Sequence, residues 1–165
     1  MIILGIDPGY AIVGYGLVEK KGTTLRPLDC GVIETEAGMP FPARLEKVYR
    51  GVGLLLETYC PDEVAFEELF FYRNATTALQ VGAGRGVSLL AAQQTGIPLF
   101  EYTPMQIKLA VTGNGHADKK QVQHMVRAIL CLKETPKPDD AADALAVAIC
   151  HANTAGIAAE EFRIR

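Results

Sequence analysis

The first six residues form an apolar run that stops at an acidic residue. Residues 1–6 carry no polar side chain, include three isoleucines and are followed by Asp7 and a Pro-Gly pair. A short run of this kind, bounded by a turn, is typical of a strand that is buried on both faces of a sheet. A second apolar run, residues 64–66, ends at Glu67. We therefore expect an α/β sheet in which two buried strands each present a carboxylate at their end.

A third acidic segment opens the last predicted helix. Pro138 can precede this helix, Asp139 can cap it, and the alanine-rich residues that follow favour its continuation. Asp140 and Asp143 are three residues apart and therefore share one face of the helix. An acidic first turn could simply complement the helix dipole, and this explanation accounts best for Asp139. It does not explain why Asp7 should stand beside a buried strand.

These carboxylates indicate a metal site. Carboxylates that the fold brings together raise one another's pKa values, and a divalent cation removes the repulsion. A site made of carboxylate oxygens favours hard ions, so Mg²⁺ is the first expectation and Mn²⁺ the second. Glu67 and Glu68 are adjacent in a strand and point to opposite faces, so one of the two can simply be solvated.

Four segments of the chain resemble the bacterial RuvC Holliday-junction resolvases. The resemblance runs in order through about residues 1–153, and the segments that carry it are GIDPG at 5–9, FEELF at 66–70, QVQHMV at 121–126 and DAADALA at 140–146. It implies a ribonuclease H-like fold, with a five-stranded mixed sheet flanked by helices. It also implies a homodimer that nicks four-way DNA junctions symmetrically with the help of Mg²⁺. By position, the family's catalytic and metal-binding carboxylates fall on Asp7, Glu67, Asp140 and Asp143.

The same resemblance implies a mechanism and partners. Two Mg²⁺ ions per active site, for which Mn²⁺ can substitute, would support hydrolysis of a phosphodiester bond and leave a 5′ phosphate and a 3′ hydroxyl. The branch-migration proteins RuvA and RuvB are implied by the resemblance alone. The main alternative is a ribonuclease H-like module that binds nucleic acid without cutting it. An actin-like ATPase fold begins similarly but needs two lobes, for which 165 residues are too few.

Aromatic and basic residues between the acidic segments are candidates for DNA contacts. Three consecutive aromatic residues, 70–72, cannot all point into one core if the chain there is extended. Phe70 matches the family's base-stacking residue, and Lys108 and Lys119 match its backbone-contacting positions. Lysines on helices are often only solvated, which weakens the case for Lys120. The full candidate set for DNA binding is Phe70, Phe71, Arg73, Lys108, Lys119 and Lys120.

The net charge of the chain is unusual for a nucleic-acid-binding protein. It is -3, with a pI of about 5.6, whereas such proteins are usually basic. The positive charge is collected in the middle of the chain, because residues 70–133 hold 7 basic and 2 acidic residues. A basic surface around an acidic centre is therefore possible.

Length and composition favour one compact domain. A chain of 165 residues that is 49% hydrophobic can build one core. We expect a nuclease domain at 1–155 and a C-terminal tail at 156–165. No apolar stretch approaches the ~20 residues of a membrane span, and the N-terminus does not resemble a signal peptide, so we expect a cytoplasmic protein. The cysteines and histidines lack the paired spacing of zinc ligands.

The hydrophobic pattern predicts the order of the elements. After the first strand it predicts strands at 12–19 and 25–35, a helix ending at 59, a helix from Asn74 to about 94, a strand at 97–102, and helices at 104–111 and 118–130 before the acidic helix. The glycine-rich stretch 82–86 follows a helical pattern and not a strand, so it is not a phosphate loop. Its glycines fit a place where another backbone passes close by, and the resemblance puts the dimer contact along this helix.

Overall fold

The centre of the molecule is a five-stranded mixed sheet. The computed structural model describes residues 1–69, 75–154 and 157–164. Its strands are β1 (Ile2–Asp7), β2 (Ile12–Lys21), β3 (Thr24–Glu34), β4 (Glu63–Glu67) and β5 (Leu99–Tyr102), in the spatial order β3-β2-β1-β4-β5. The first three form an antiparallel meander, whereas β1, β4 and β5 run parallel. The predicted mixed sheet is confirmed, although β5 begins two residues later than the sequence suggested.

Helices cover both faces of the sheet. They are α1 (Phe41–Tyr59), α2 (Ala75–Gln93), α3 (Pro104–Thr112), α4 (Lys119–Ile129) and α5 (Asp139–Thr154), followed by a short 3₁₀ helix at Ile157–Phe162. α1 and α2 pack on one face, and α3, α4 and α5 pack on the other. Capping boxes begin α3 and α4, with Thr103 and Asp118 as the caps. Asn74, the predicted cap of α2, lies outside the described residues.

Glycines in the sheet let α5 lie directly on β1 and β2. A β-carbon on Gly5 would stand 2.2 Å from the carbonyl oxygen of Ala144, and one on Gly14 would stand 2.1 Å from that of Asp140. Both contacts are too close for any other residue type, and the α5 side of the contact is rich in buried alanine. Gly14 is also the partner of Asp7 in the β1–β2 pairing. The first turn of α5 is therefore held against the end of β1.

The described part of the C-terminal segment is attached to the sheet. The backbone N–H of Ile164 donates to the carbonyl oxygen of Leu99 at 2.9 Å, and the Phe162 ring lies 5.0 Å from that of Tyr102. Ala159 is buried in the same core. The division of the chain at residue 155 stays a prediction, but residues 157–164 do not form a detached tail. Within the described residues, no helix has the length and apolar character needed to cross a membrane.

Candidate active site

The fold gathers four acidic residues at one edge of the sheet. Asp7 ends β1 and Glu67 ends β4, and these two strands are parallel neighbours. Asp140 and Asp143 lie in the first turns of α5, which the close contact at Gly14 holds beside β1. The four carboxylates singled out in the sequence thus come from three elements to one place.

Burial and mutual repulsion make two of these carboxylates hard to ionise. Burial raises the pKa of Asp7 to about 8, with further contributions from the charges of Glu67, Asp143 and Asp140. Burial also raises the pKa of Glu67 to about 7, as does the charge of Asp143, against the opposing effect of Lys108 and Lys119. The site therefore concentrates negative charge that the surrounding lysines only partly offset.

Lys119 is the cation closest to this cluster in the described structure. Its Nζ lies 3.0 Å from Oδ2 of Asp143 and 3.3 Å from Oδ2 of Asp139. Burial disfavours the charged form of Lys119, but hydrogen bonds and charges from Asp143 and Asp139 outweigh it and raise the pKa of the amine. Asp139, which the sequence suggested as a helix cap, is therefore one of two partners that hold Lys119 at the start of α4.

A cavity of about 270 Å³ opens beside the cluster. Two carboxylates and two lysines face it, and its apolar wall comes from α3, α4 and α5; the lining residues are Glu67, Pro104, Ile107, Lys108, Lys119, Val122, Asp143 and Ala146. Acidic groups, which could hold a cation, and basic groups, which attract an anion, thus share one opening. This combination suits a substrate that carries phosphate and reacts beside a metal ion.

The donor chemistry of the cluster fits a hard divalent cation, although its side chains are not yet arranged around one. Among the described residues, no three histidine, cysteine, aspartate or glutamate side chains stand so that they could hold a metal ion together. Asp143 is instead paired with Lys119. The carboxylate oxygens are the ligands that Mg²⁺ and Mn²⁺ prefer, and the raised pKa values of Asp7 and Glu67 express a repulsion that such an ion would relieve.

The candidate DNA-binding residues fall into three groups. Lys108 and Lys119 line the cavity with the carboxylates. Lys120 is exposed and faces a different groove, beside Asn114 and His124. The remaining candidates, Phe70, Phe71 and Arg73, lie outside the described residues, so their contacts stay predictions.

Two contacts at this edge were not foreseen from the sequence. One is the pairing of Asp139 with Lys119. The other involves Gly84 of α2, where a β-carbon would stand 2.3 Å from the carbonyl oxygen of Gly9 in the loop after Asp7. Both contacts join residues that are distant in sequence, and no local pattern in a single chain signals such a pairing. We expected another backbone to pass close to the glycines of α2. At Gly84 that backbone is the loop after Asp7 in the same chain.

Comparisons with known proteins agree with this arrangement. The model of a protein family described as crossover junction endodeoxyribonuclease RuvC matches residues 3–151. The RuvC of Brevibacillus brevis is 59% identical over 152 residues, which cover 92% of each chain. The RuvC of Desulfitobacterium hafniense is 57% identical over 157 residues, which cover 95% of each chain.

Solved structures give the same result. RuvC of T. thermophilus in complex with Holliday junction substrate superposes with a TM-score of 0.89 at 44% identity, covering 94% of each chain. The yeast mitochondrial Holliday junction resolvase Ydc2 has a TM-score of 0.67 at 14% identity, covering 92% of this chain and 77% of that one, which is a likeness of fold only. The predicted ribonuclease H-like fold is thereby confirmed.

Proposed function

The chain belongs to the RuvC family of crossover junction endodeoxyribonucleases, and we propose that it resolves four-way DNA junctions by paired symmetrical nicks during recombination and repair. The observation that carries this proposal is the meeting of Asp7, Glu67, Asp140 and Asp143 at one edge of the sheet, in a chain whose family match runs almost end to end. The enzyme is a structure-selective endodeoxyribonuclease. A family relative has been solved with a Holliday junction substrate, which supports the same ligand here.

Asp7, Glu67, Asp140 and Asp143 are the residues that would hold the divalent metal expected of this family. We assign Mg²⁺, two ions per active site, with Mn²⁺ as a substitute, because the ligands are carboxylate oxygens. Bound there, the metal would activate water for in-line attack and stabilise the departing 3′ oxygen, which leaves a 5′ phosphate. The carboxylates reach the same edge from β1, β4 and α5, so the fold fixes where their backbone positions lie, and their side chains would still have to turn toward the metal.

Lys108 and Lys119 would bind the phosphodiester backbone at the cavity. Lys119 pairs with Asp143 at 3.0 Å. For the carboxylates to close around a metal, Asp143 must give up this partner, and the amine then becomes available to a DNA phosphate. Asp139 also pairs with the amine, at 3.3 Å, and this contact does not involve the four proposed metal ligands. We place Lys120 at a neighbouring phosphate, because it faces a separate groove.

A homodimer fits the exposed side of α2. Leu79 and Leu90 are 78% and 51% exposed, and both lie on this helix. On the same helix, a β-carbon at Gly82 or Gly86 would meet no atom within 4 Å, so these glycines leave room for a second backbone. A twofold axis near α2 would direct two active sites at two strands of like polarity, as paired nicks require.

The remaining assignments rest on the family. We propose that Phe70 and Phe71 stack on unpaired bases at the junction centre, that Arg73 binds phosphate, and that RuvA and RuvB are the partners in branch migration. A cytoplasmic location belongs to the same proposal. The alternative of a module that binds without cutting is disfavoured, because the curated relatives are named as endodeoxyribonucleases.

The test compares a mobile four-way junction with a linear duplex of the same sequence, each with Mg²⁺ and with a chelator. We expect cutting of the junction only, and only with the metal. Mn²⁺ should restore activity, and the Asp7→Asn variant should not cut under any of these conditions. Equal cutting of junction and duplex would contradict the resolvase assignment, and binding without any metal-dependent scission would favour the non-cleaving alternative.

A further inference from the structure

A second polar cluster lies at the carboxylate edge, on the face that α1 covers. Tyr10 stands three residues after Asp7, Thr35 follows the end of β3, and Arg44 lies in the first turn of α1. β1 and β3 end at the same edge of the sheet, since both are antiparallel to β2, which lies between them. The cluster is therefore a neighbour of the active site and is separate from the cavity that holds Lys108 and Lys119.

Two contacts hold the guanidinium of Arg44 in a fixed orientation, and two more support the residues that make them. Its Cζ lies 4.6 Å from the centre of the Tyr10 ring, and its Nε donates to Oγ1 of Thr35 at 2.7 Å. The Thr35 hydroxyl donates in turn to the carbonyl oxygen of Tyr10 at 2.8 Å, and the Phe41 ring packs edge-on against Tyr10 at 5.8 Å. A flexible side chain is thus already ordered, which lowers the entropic cost of binding a ligand.

The charge of Arg44 has no acidic partner in the described part of the chain. By contrast, the guanidinium groups of Arg26, Arg50 and Arg85 each pair with a glutamate. An arginine that is oriented but not neutralised presents a planar fork of donors, the geometry that binds phosphate through two parallel hydrogen bonds.

We propose that Arg44 binds a backbone phosphate of the DNA strand that enters the active site. The three residues from Asp7 to Tyr10 span at most ~11 Å between their Cα atoms. The guanidinium lies beyond the Tyr10 ring, so the contacted phosphate is a few nucleotides away from the bond that is cut. Tyr10 and Thr35 are positioning residues, because they act through the guanidinium. This inference rests on the proposed function, which supplies the DNA strand as the ligand.

The test measures junction binding in a chelator over a range of salt concentrations, so that cleavage does not contribute. Arg44→Gln should weaken binding by about tenfold, because a hydrogen-bonded ion pair with phosphate is lost. It should also reduce the slope of log affinity against log salt by about 0.9 for each contact removed. Arg50→Gln is the matched control, since Arg50 lies on the same helix and pairs with Glu46, and it should change neither quantity.

Arg44→Lys keeps the positive charge and removes the planar guanidinium, so it tests the two contributions separately. It should keep the salt slope of the unaltered protein and bind less tightly, because an ammonium makes one contact where the guanidinium makes two. This variant decides the matter if Arg44→Gln does not fold. Two results overturn the proposal: a weaker Arg44→Gln with an unchanged salt slope, which would mean a purely structural role, or unchanged affinity in both variants.

The outcome is distinguishable from a failure of the proposed function. If the unaltered protein cuts junctions but Arg44→Gln binds them normally, only the phosphate site is wrong. If Arg44→Gln loses affinity and slope as expected but the unaltered protein never cuts with Mg²⁺, the phosphate site stands and the nuclease assignment fails.

Discussion

Among the four proposed metal ligands, Asp7 is the residue whose pKa is raised the most. It is the central member of the cluster in electrostatic terms, because Glu67, Asp143 and Asp140 all raise its pKa in addition to burial. A carboxyl group with a pKa of about 8 is mostly protonated at neutral pH in the absence of a cation. Metal binding must therefore displace a proton, and occupancy of the site should rise with pH.

The stability of an Asp7→Asn variant tests this repulsion. The pKa of Asp7 is raised on folding, so the folded state binds the proton more tightly than the unfolded state. Stability contributed by this group is thus greatest below the unfolded pKa of about 3.9 and is lost as the pH rises toward 8. Without metal, Asp7→Asn should be more stable than the unaltered protein by about 1 kcal/mol or more at pH 9, with a smaller gain at pH 5.

Urea unfolding in a chelator at both pH values measures this difference. A variant that is less stable at pH 9, or a gain that does not change with pH, would contradict the assignment. Metal-free junction binding by Asp7→Asn should be retained at neutral pH, where Asp7 is already mostly protonated, and slightly tightened at pH 9, where the substitution removes a negative charge facing the phosphates.

Two adjacent glutamates provide a matched pair for activity. Glu67 faces the cavity with Asp143, and its pKa is raised to about 7, whereas Glu68 lines a different opening with Arg85 and Glu101. Glu67→Gln should lower the single-turnover cleavage rate of a junction by about 100-fold or more. Glu68→Gln and Asp139→Asn should keep most of the activity, and an equal loss in Glu67→Gln and Glu68→Gln would remove Glu67 from the site.

The carboxylates were predictable from sequence because their positions follow from single elements. Asp7 and Glu67 end apolar runs, and Asp140 and Asp143 share a helix face, so local patterns identify them. The Lys119–Asp139 pair and the Tyr10–Arg44 contact join residues that lie 20 and 34 positions apart. Such contacts depend on how helices are placed on the sheet, and the local pattern does not contain that information.

At the scale of elements, α5 connects the site to the core. Its C-terminal part carries His151, which is fully buried. Nε2 of His151 lies 2.7 Å from Oε2 of Glu63, and Nδ1 lies 2.7 Å from the Tyr102 hydroxyl. The imidazole thus bridges α5 to β4 and β5. Spacing in the sequence argued against a zinc role for this histidine, and it gave no sign of the bridge.

Replacing His151 should have a pH-dependent cost. Burial lowers the pKa of His151 below its unfolded value of about 6.5, although Glu63 opposes this shift. The stability that a neutral His151 contributes is therefore complete above about pH 6.5 and lost as the pH falls below it. His151→Phe leaves the Tyr102 hydroxyl without this partner and should cost roughly 1 to 3 kcal/mol at pH 7.5, and less at pH 5.5.

The measurement is the difference in unfolding free energy between His151→Phe and the unaltered protein, in which the contribution of Asp7 cancels. His124→Ala, on the exposed side of α4, should show no such trend. A cost that is the same at both pH values would mean that the buried bridge does not titrate.

Two glycines of α2 have different surroundings. Gly84 packs against the backbone of the loop after Asp7, whereas Gly82 faces open space. Gly84→Ala places a β-carbon 2.3 Å from the Gly9 carbonyl oxygen, so it should cost roughly 1 to 3 kcal/mol and disturb the loop after Asp7. Gly82→Ala meets no atom within 4 Å and should leave the fold as stable or slightly more stable, since alanine favours helix. Thermal unfolding of the two variants should differ clearly, and equal shifts would contradict this packing.

The order of the elements was accessible from the sequence, and their contacts were less so. Apolar runs and the alternation of apolar and polar residues located the β1–β2–β3 meander, because the pattern within each strand reflects which of its side chains are buried. The start of β5 was placed too early because Ile97 and Pro98 extend the apolar run, whereas the paired register begins at Leu99; only the carbonyl oxygen of Pro98 contributes, accepting from the backbone N–H of Val64 at 3.1 Å. The segment after residue 156 appeared to be a tail because it has little periodicity, yet residues 157–164 pack on the sheet.

For the molecule as a whole, the places where the charges lie matter more for DNA binding than the net charge. The net charge is -3, but Lys108, Lys119 and Arg44 all lie at or beside the carboxylate edge. Because the salt dependence of DNA binding scales with the number of phosphates neutralised, an affinity that depends on so few cations should fall with salt at a shallow slope, and bound metal should partly offset the acidic cluster. Two copies of the site related by a twofold axis would present this edge to a junction twice.

The most direct test of the account maps the nicks in a mobile junction whose four strands are labelled one at a time. With Mg²⁺, the account predicts nicks at equivalent positions in two strands of like polarity, each with a 5′ phosphate, and almost no cutting of linear duplex. Nicks in one strand only, nicks at unrelated positions, or equal cutting of linear duplex would contradict a dimeric junction resolvase.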